Sequence, residues 1–333
     1  MLQLSKIRQV QIELTTRCNA RCPMCMRNYR GFDYNSGYPE TELTLDNLKR
    51  ILEPAFLAQL TRGVWFNGNL GDFGLARDAK EIVHWLADQG VPVYINSNAS
   101  MRTPDWWASL VRPGVKIGFA IDGLEDTHGL YRQDTDWNRI IANAQAFIEA
   151  GGYAIWRFIP FEHNRHQEED CKKLAKNLGF ARFENIDEGR NSGPVFSRTG
   201  EFSHWLGKPD QQVPDIKPML QSHITWFDHR TVVSHKDTHP LKLVCQHEFQ
   251  QEIYIAADGS VYPCCFLGFY PATMKHPGND QLLPLVKENN ALNYDLAHCI
   301  KWFANIEETW AKNSIAEGRL YGCVNSCGGR VRR

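Results

Sequence analysis

The sequence predicts an α/β chain: a partial (β/α)6 barrel over residues 1–187, an irregular connection over 188–240, and a small C-terminal domain over 241–333. Two observations predict the barrel. β-rich runs alternate with amphipathic helical stretches from residue 10 to 186, the pattern of βα units building a parallel sheet. Six such strands fit, fewer than the eight of a complete barrel. A third observation separates the C-terminal part: after the periodicity fades, a hairpin signal and a set of cysteines begin at residue 241.

Val10–Leu14 alternates like a strand. Leu45, Leu48, Ile51 and Leu52 then share a helical face, with Thr44 as N-cap. Val64–Phe66 is the second strand, followed by a helix around Ala79–Leu86, and Val91–Ile95 is the third. Val115–Ile121 leads to a helix over Trp137–Ala150 closed by Gly151-Gly152. Tyr153–Ile159 leads to a helix over Gln167–Leu178 ended by Gly179, and Phe183–Ile186 is the last strand. Within that last helix Cys171, Leu174, Ala175 and Leu178 share a face, which assigns Cys171 to the core. From Asp187 to Pro240 five prolines punctuate a polar stretch that reads as irregular, with one short helix. His204, His223, His229, His235 and His239 match no compact ligand motif there. Glu252–Ile255 and Ser260–Tyr262 flank Ala257-Asp258-Gly259, a hairpin signal because Gly supplies the positive φ that the turn needs.

Composition excludes several functions. The chain of 333 residues is 43% hydrophobic and 23% charged, enough for a large core and against disorder. Lys plus Arg is 37 against 38 for Asp plus Glu, so no global field favours nucleic acid or an anionic membrane. No apolar run reaches membrane-span length and no signal peptide opens the chain, so the expected location is cytoplasmic. In a reducing compartment the ten cysteines are expected to bind metal, catalyse or pack rather than pair. The scattered tryptophans read as packing residues, and Arg330, Arg332 and Arg333 as a solvated terminus.

Cys18, Cys22 and Cys25 lie at C-x3-C-x2-C spacing directly after the first strand. Three soft ligands on one loop can hold three irons of a cubane and leave the fourth without a protein ligand. Zinc would need a fourth ligand nearby, yet the first histidine is His84. Asn19, Arg21 and Pro23 between the thiols make the loop polar, against simple burial of the cysteines.

This loop resembles the defining motif of the radical S-adenosylmethionine (radical SAM) enzymes. Met24 stands where many members have an aromatic residue. The resemblance implies that Cys18, Cys22 and Cys25 bind a [4Fe-4S] cluster whose open iron takes the amino and carboxylate groups of SAM. Gly71-Asp72-Phe73 resembles the family's Gly-Gly-Glu-Pro type segment, with a shorter carboxylate for the SAM amino group. Asn96, Ser97 and Asn98 resemble its Thr-Asn-Gly type strand end, implying contact with the SAM ribose or carboxylate. Asp122-Gly123, His128 and Tyr131-Arg132 resemble a further family stretch, in which Asp122 lies at the barrel mouth and Arg132 meets the SAM carboxylate or a structural one. Asn164 and Glu168-Glu169 resemble its fifth unit.

Cys245, Cys264, Cys265, Cys323 and Cys327 draw thiols from distant segments, as a closed metal site does. They resemble the C-terminal auxiliary-cluster domains of radical SAM enzymes called SPASM and, in the single-cluster form, Twitch. Too few cysteines remain for two clusters, so the resemblance implies one auxiliary [4Fe-4S] cluster held by Cys245, Cys264, Cys323 and Cys327. Neighbours on a strand point to opposite faces, so Cys265 is expected to pack inward, and Cys299 shares a helical stripe with Leu296, Ile300 and Phe303. A four-cysteine zinc site is the competing metal reading. The implied activity is hydrogen-atom abstraction for peptide or protein modification, with oxidation of a sugar or aminocyclitol alcohol as the alternative. Flavodoxin or ferredoxin is the expected electron donor. A reading of another class, a non-catalytic electron carrier or zinc-stabilised binding protein, leaves the polar strand ends unexplained. The first strand begins close to Met1, which counts against a leader-peptide recognition domain before it.

Overall fold

A computed structural model describes residues 3–25, 27–28, 30–32, 39–186, 193–207, 213, 243–269 and 277–327. One eight-stranded sheet organises them, in the order β10-β9-β1-β2-β3-β4-β5-β6. Strands β1 (Gln9–Ile12), β2 (Gly63–Phe66), β3 (Val93–Ser97), β4 (Val115–Ala120), β5 (Tyr153–Phe158) and β6 (Arg182–Asn185) are all parallel, the expected six units. Crossover helices α1 (Leu45–Ile51), α2 (Pro54–Leu57), α3 (Ala79–Asp88), α4 (Pro104–Ala108), α5 (Glu125–Tyr131), α6 (Trp137–Glu149) and α7 (Glu168–Asn177) return the chain between them. Thr44 caps α1 in a reciprocal box with Asn47, and Asp136 caps α6 through the Arg139 amide.

The strands sort their side chains by period two. Val10, Ile12, Val64, Phe66, Val93, Ile95, Ile117, Phe119, Trp156 and Phe158 turn toward the helices and are almost wholly buried. The opposite face carries Gln11, Trp65, Tyr94 and Lys116 in register, with Trp65 stacked on Tyr94 at 4.4 Å. Higher on that face Arg157 meets Glu184 at 3.7 Å. An apolar face toward the helices and a polar opposite face are what the sheet of a partial barrel requires.

The C-terminal hairpin forms as expected, β9 (Glu252–Ile255) against β10 (Val261–Tyr262), with Gly259 at φ +87°. Its placement was not foreseen: β9 pairs parallel with β1, so the hairpin extends the barrel sheet. This flanks β1 on both sides and explains why all four of its residues are buried, Gln9 and Gln11 included. The 188–240 connection also differs from expectation where it is described. Strands β7 (Gly193–Phe196) and β8 (Phe202–Leu206) form an antiparallel pair. Pro194 suggested a break, yet proline is tolerated on a strand with a free edge. Val195 and Leu206 pack on Cys22, Tyr131, Ile159 and Phe161, a small core of their own above the first cysteine loop. His223, His229, His235, His239, Arg330, Arg332 and Arg333 lie outside the described residues, as does Asp187. His204 spends Nε2 on the Leu130 carbonyl at 3.0 Å. No helix among the described residues is long and apolar enough to cross a membrane.

Candidate functional site

The loop after β1 carries Cys18, Cys22 and Cys25 across the C-terminal ends of the parallel strands, where barrel active sites sit. Cys22 is buried in the small core, while Cys18 and Cys25 are half-buried. Asn28 donates to the Cys22 carbonyl at 3.0 Å and the Cys25 amide does so at 2.9 Å, folding the loop into a tight turn. Two side-chain donors from other strand ends approach the sulfurs. Asn98 Nδ2 lies 3.9 Å from Cys18 Sγ, and Arg132 Nη1 lies 3.8 Å from Cys22 Sγ. Burial pushes both thiols up; the Arg132 charge works against this at Cys22, while Asp72 and the other two thiols add to it at Cys18.

Asp72 takes three donors: the Gly74 amide at 2.9 Å, Ser97 Oγ at 2.7 Å and the Asn98 amide at 2.8 Å. These bonds join the β2 loop to the end of β3. Ser97 is thereby committed to Asp72 on the helix side, whereas Asn96 faces the barrel interior and donates to Asn67. Asp122 is fully buried and pairs with Arg132 Nε at 2.6 Å; its other oxygen accepts the Ile159 amide at 2.6 Å. The structure thus gathers Cys18, Cys22, Cys25, Gly71, Asp72, Asn98, Asp122 and Arg132 at one rim, with Asn96 inside it.

Sequence reading missed Glu13. Its carboxylate accepts the amides of Asn69, Leu70 and Gly71 at 2.8, 3.1 and 2.8 Å, and Tyr254 of β9 donates to it at 3.2 Å. Burial pushes this group up to about 7, against all four donors. In the sequence it is the polar half of the alternating run Val10–Leu14, which carries no signal of burial. The cradle holds the loop so close that a Cβ on Gly71 would lie 1.9 Å from the Thr15 carbonyl oxygen. Gly71→Ala is therefore expected to cost about 1–3 kcal/mol or more, as a lower denaturation midpoint, and to weaken SAM binding in a direct titration.

The second thiol set also converges. Cys245, Cys264, Cys323 and Cys327 line one cavity of about 40 Å³, walled by Phe266, Leu267, Phe303, Ile306 and Trp310. Cys245 and Cys264 stand at the N-caps of the short helices Gln246–Gln250 and Cys265–Gly268. Cys265 does not line this cavity and packs against the main core; burial pushes its thiol up to about 12, with Glu252 and Glu13 adding to the effect. Cys299 is buried with Sγ 3.8 Å from the Tyr294 carbonyl, and Cys171 is buried in α7. All ten cysteines are free. Among the described residues no three His, Cys, Asp or Glu side chains converge tightly enough to hold a single ion.

The sequence model of the radical SAM superfamily matches residues 12–175, from β1 through α7. The chain belongs to the radical SAM superfamily. It is 24% identical over 280 residues, 76% of this chain and 71% of the other, to a cysteine-type anaerobic sulfatase-maturating enzyme of Clostridium novyi (strain NT). In fold it resembles SuiB of Streptococcus suis bound to S-adenosylmethionine, with TM-score 0.55 at 14% identity, covering 96% of this chain and 68% of that one. It also resembles anSMEcpe with bound AdoMet, with TM-score 0.54 at 15% identity, covering 91% and 80%.

As a radical SAM enzyme the chain works with a [4Fe-4S] cluster and SAM, and its residues fit that requirement. Three buried or half-buried thiols on one loop are costly as thiolates unless a cation compensates them. Asn98 and Arg132 present N–H groups toward two of the sulfurs. Behind them His128 is buried as a neutral ring. Its Nδ1 accepts the Asp122 amide at 3.1 Å and its Nε2 faces Thr135 Oγ1 at 3.2 Å. Burial, helped by the Arg132 charge, lowers its pKa from 6.5 to about 3. The unfolded chain therefore binds this proton first as pH falls below 6.5, and the folded state loses about 1.4 kcal/mol per pH unit down to about 3. Urea midpoints at pH 7 and 5.5 are expected to diverge in the wild type and to converge partly in His128→Gln.

Proposed function

We propose that this radical SAM enzyme modifies a peptide or protein side chain by hydrogen-atom abstraction, using Cys18, Cys22 and Cys25 as cluster ligands. The observation that carries the proposal is the convergence of these thiols with Asp72, Asn98 and Arg132 at the rim of a polar-lined partial barrel. When bound, the cluster supplies the electron that splits SAM into methionine and a 5′-deoxyadenosyl radical. The remaining roles belong to the chain. Gly71 and Asp72 present the β2 loop to the SAM amino group, and Asn96 and Asn98 place the β3 end against the ribose or carboxylate, while Ser97 holds Asp72 instead of reaching SAM. Arg132, held by Asp122, offers its guanidinium to the SAM carboxylate. The β7–β8 pair covers the Cys22 side of the loop and keeps water from it.

Cys245, Cys264, Cys323 and Cys327 are proposed to hold one auxiliary [4Fe-4S] cluster in the segment 241–333, following the barrel of 1–187 and the connection of 188–240. Abstraction would leave a substrate radical, which becomes product by losing one electron and one proton; a cluster held by these four thiols would supply an acceptor for that electron. Flavodoxin or ferredoxin in a reducing cytoplasm is the proposed donor for the first electron. The names of relatives support a peptide substrate: one is a sulfatase-maturating enzyme, SuiB was solved with its precursor peptide SuiA, and anSMEcpe with the Cp18Cys peptide.

The test is anaerobic reconstitution with iron and sulfide, then SAM with dithionite. Iron in both thiol sites and release of 5′-deoxyadenosine are expected. Zinc in place of iron at the first site, or no SAM cleavage by a reduced cluster, would overturn the proposal. Peptide and aminocyclitol panels separate the substrate classes by which product loses two hydrogens.

A further inference from the structure

Trp310 ends the helix Phe303–Trp310 and lines the cavity that the four C-terminal thiols share. Its indole Nε1 is buried and unpaired. Buried indoles ordinarily find an acceptor, because an unmet donor keeps its desolvation cost. The group beside this one is the Cys323 thiol, which lines the same cavity and stands against the indole N–H. A neutral thiol is a weak acceptor, whereas a metal-bound thiolate carries negative charge and is a good one. A second indole provides the contrast. Trp302 Nε1 is also buried and unpaired, but that ring lies edge-on to Tyr262 and Phe303 and does not line the cavity.

We propose that Trp310 is a positioning residue of the auxiliary cluster, donating its Nε1–H to the Cys323 sulfur once iron is bound there and raising the reduction potential of that cluster. This rests on the ligand set proposed above. Donation draws electron density from the iron–sulfur bond and so favours the reduced form, and hydrogen bonds to sulfur are among the terms that set such potentials. A raised potential suits a site that takes an electron from a substrate radical. It also explains tryptophan at a position where phenylalanine would fill the same wall.

The experiment compares holoenzyme carrying Trp310→Phe or Trp302→Phe with the wild type, by redox titration followed with EPR. The first cluster, shifted by added SAM, serves as the internal reference. The auxiliary potential is expected to fall in Trp310→Phe and to stay in Trp302→Phe, with the first cluster unchanged in both. An unchanged potential in an iron-loaded Trp310→Phe protein would overturn the proposal. If that variant does not load iron, the wild type labelled with 15N-tryptophan decides: pulsed EPR of the reduced auxiliary cluster is expected to show coupling to indole nitrogen, and its absence would overturn the role of Trp310. Zinc or no iron in the wild-type auxiliary site defeats the ligand reading instead, a result distinguishable by metal analysis alone.

Discussion

Cys22→Ser is expected to abolish 5′-deoxyadenosine formation from SAM and to remove one cluster's iron from the reconstituted protein. Serine differs from cysteine by one atom, so the loop has little steric reason to move. The loss is chemical. A hard alkoxide is a poor partner for iron where a soft thiolate is required. The surroundings of this thiol were also built for sulfur: it is buried among Tyr131, Ile159, Phe161, Val195 and Leu206, with the Arg132 guanidinium at 3.8 Å. Burial raises the thiol pKa, and the Arg132 charge is the largest opposing influence. Iron must therefore displace the proton with help from Arg132, and a serine hydroxyl, far less acidic, would not yield it. Cys171→Ser provides the control. That thiol is buried in α7, and burial pushes it up to about 12. Its replacement is expected to lower stability while leaving iron content and SAM cleavage intact. Retained 5′-deoxyadenosine in Cys22→Ser would contradict its role as a ligand.

The contrast between these two cysteines was legible before any coordinates. Cys171 fell on an apolar helical face and Cys22 on a polar loop after a strand, and local spacing was enough to separate them. The six parallel strands were legible for the same reason, since period-two runs and intervening amphipathic helices are local features. Other parts of the site depended on contacts distant in sequence. Nothing near Glu252–Ile255 announces that β9 pairs with β1, although this pairing sets Tyr254 on Glu13 and so links the C-terminal segment to the loop of Gly71. Glu13 itself looked like the polar half of an alternating strand; it is buried because strands lie on both sides of β1. Pro194 was read as punctuation, since proline disfavours interior strands, yet the β7–β8 pair has free edges and needs no ladder bond there. The motif at Asn96-Ser97-Asn98 was readable as a polar strand end, but not how its three side chains divide. Only the pleat decides that Ser97 turns to Asp72 while Asn96 faces the interior.

Asp122→Ala is expected to destabilise the protein by about 3–5 kcal/mol, the usual cost of leaving one member of a buried ion pair without its partner. Asp122 is wholly buried and Arg132 nearly so, with side-chain exposures of 0% and 16%. The pair is also tied into the backbone. One carboxylate oxygen holds the Ile159 amide at the end of β5, and the Asp122 amide is held in turn by His128 of α5. Removal of the carboxylate therefore strands a guanidinium and a backbone N–H together, and lets the β5 end separate from β4. Asp122→Asn tests the two contributions separately. The amide keeps an oxygen for Ile159 but has no charge for Arg132, so a smaller loss of stability is expected. Both variants should release Arg132 from its fixed angle toward Cys22 Sγ and toward SAM, and so weaken SAM binding in titrations of the folded protein. Arg132→Gln is the complementary test, because it leaves Asp122 as the buried unpaired charge and is expected to destabilise comparably. The double change Asp122→Asn with Arg132→Gln removes both charges, and is expected to recover stability relative to Arg132→Gln without recovering SAM affinity. Equal SAM affinity in all four variants would show that the pair is purely structural and that Arg132 does not reach the cofactor.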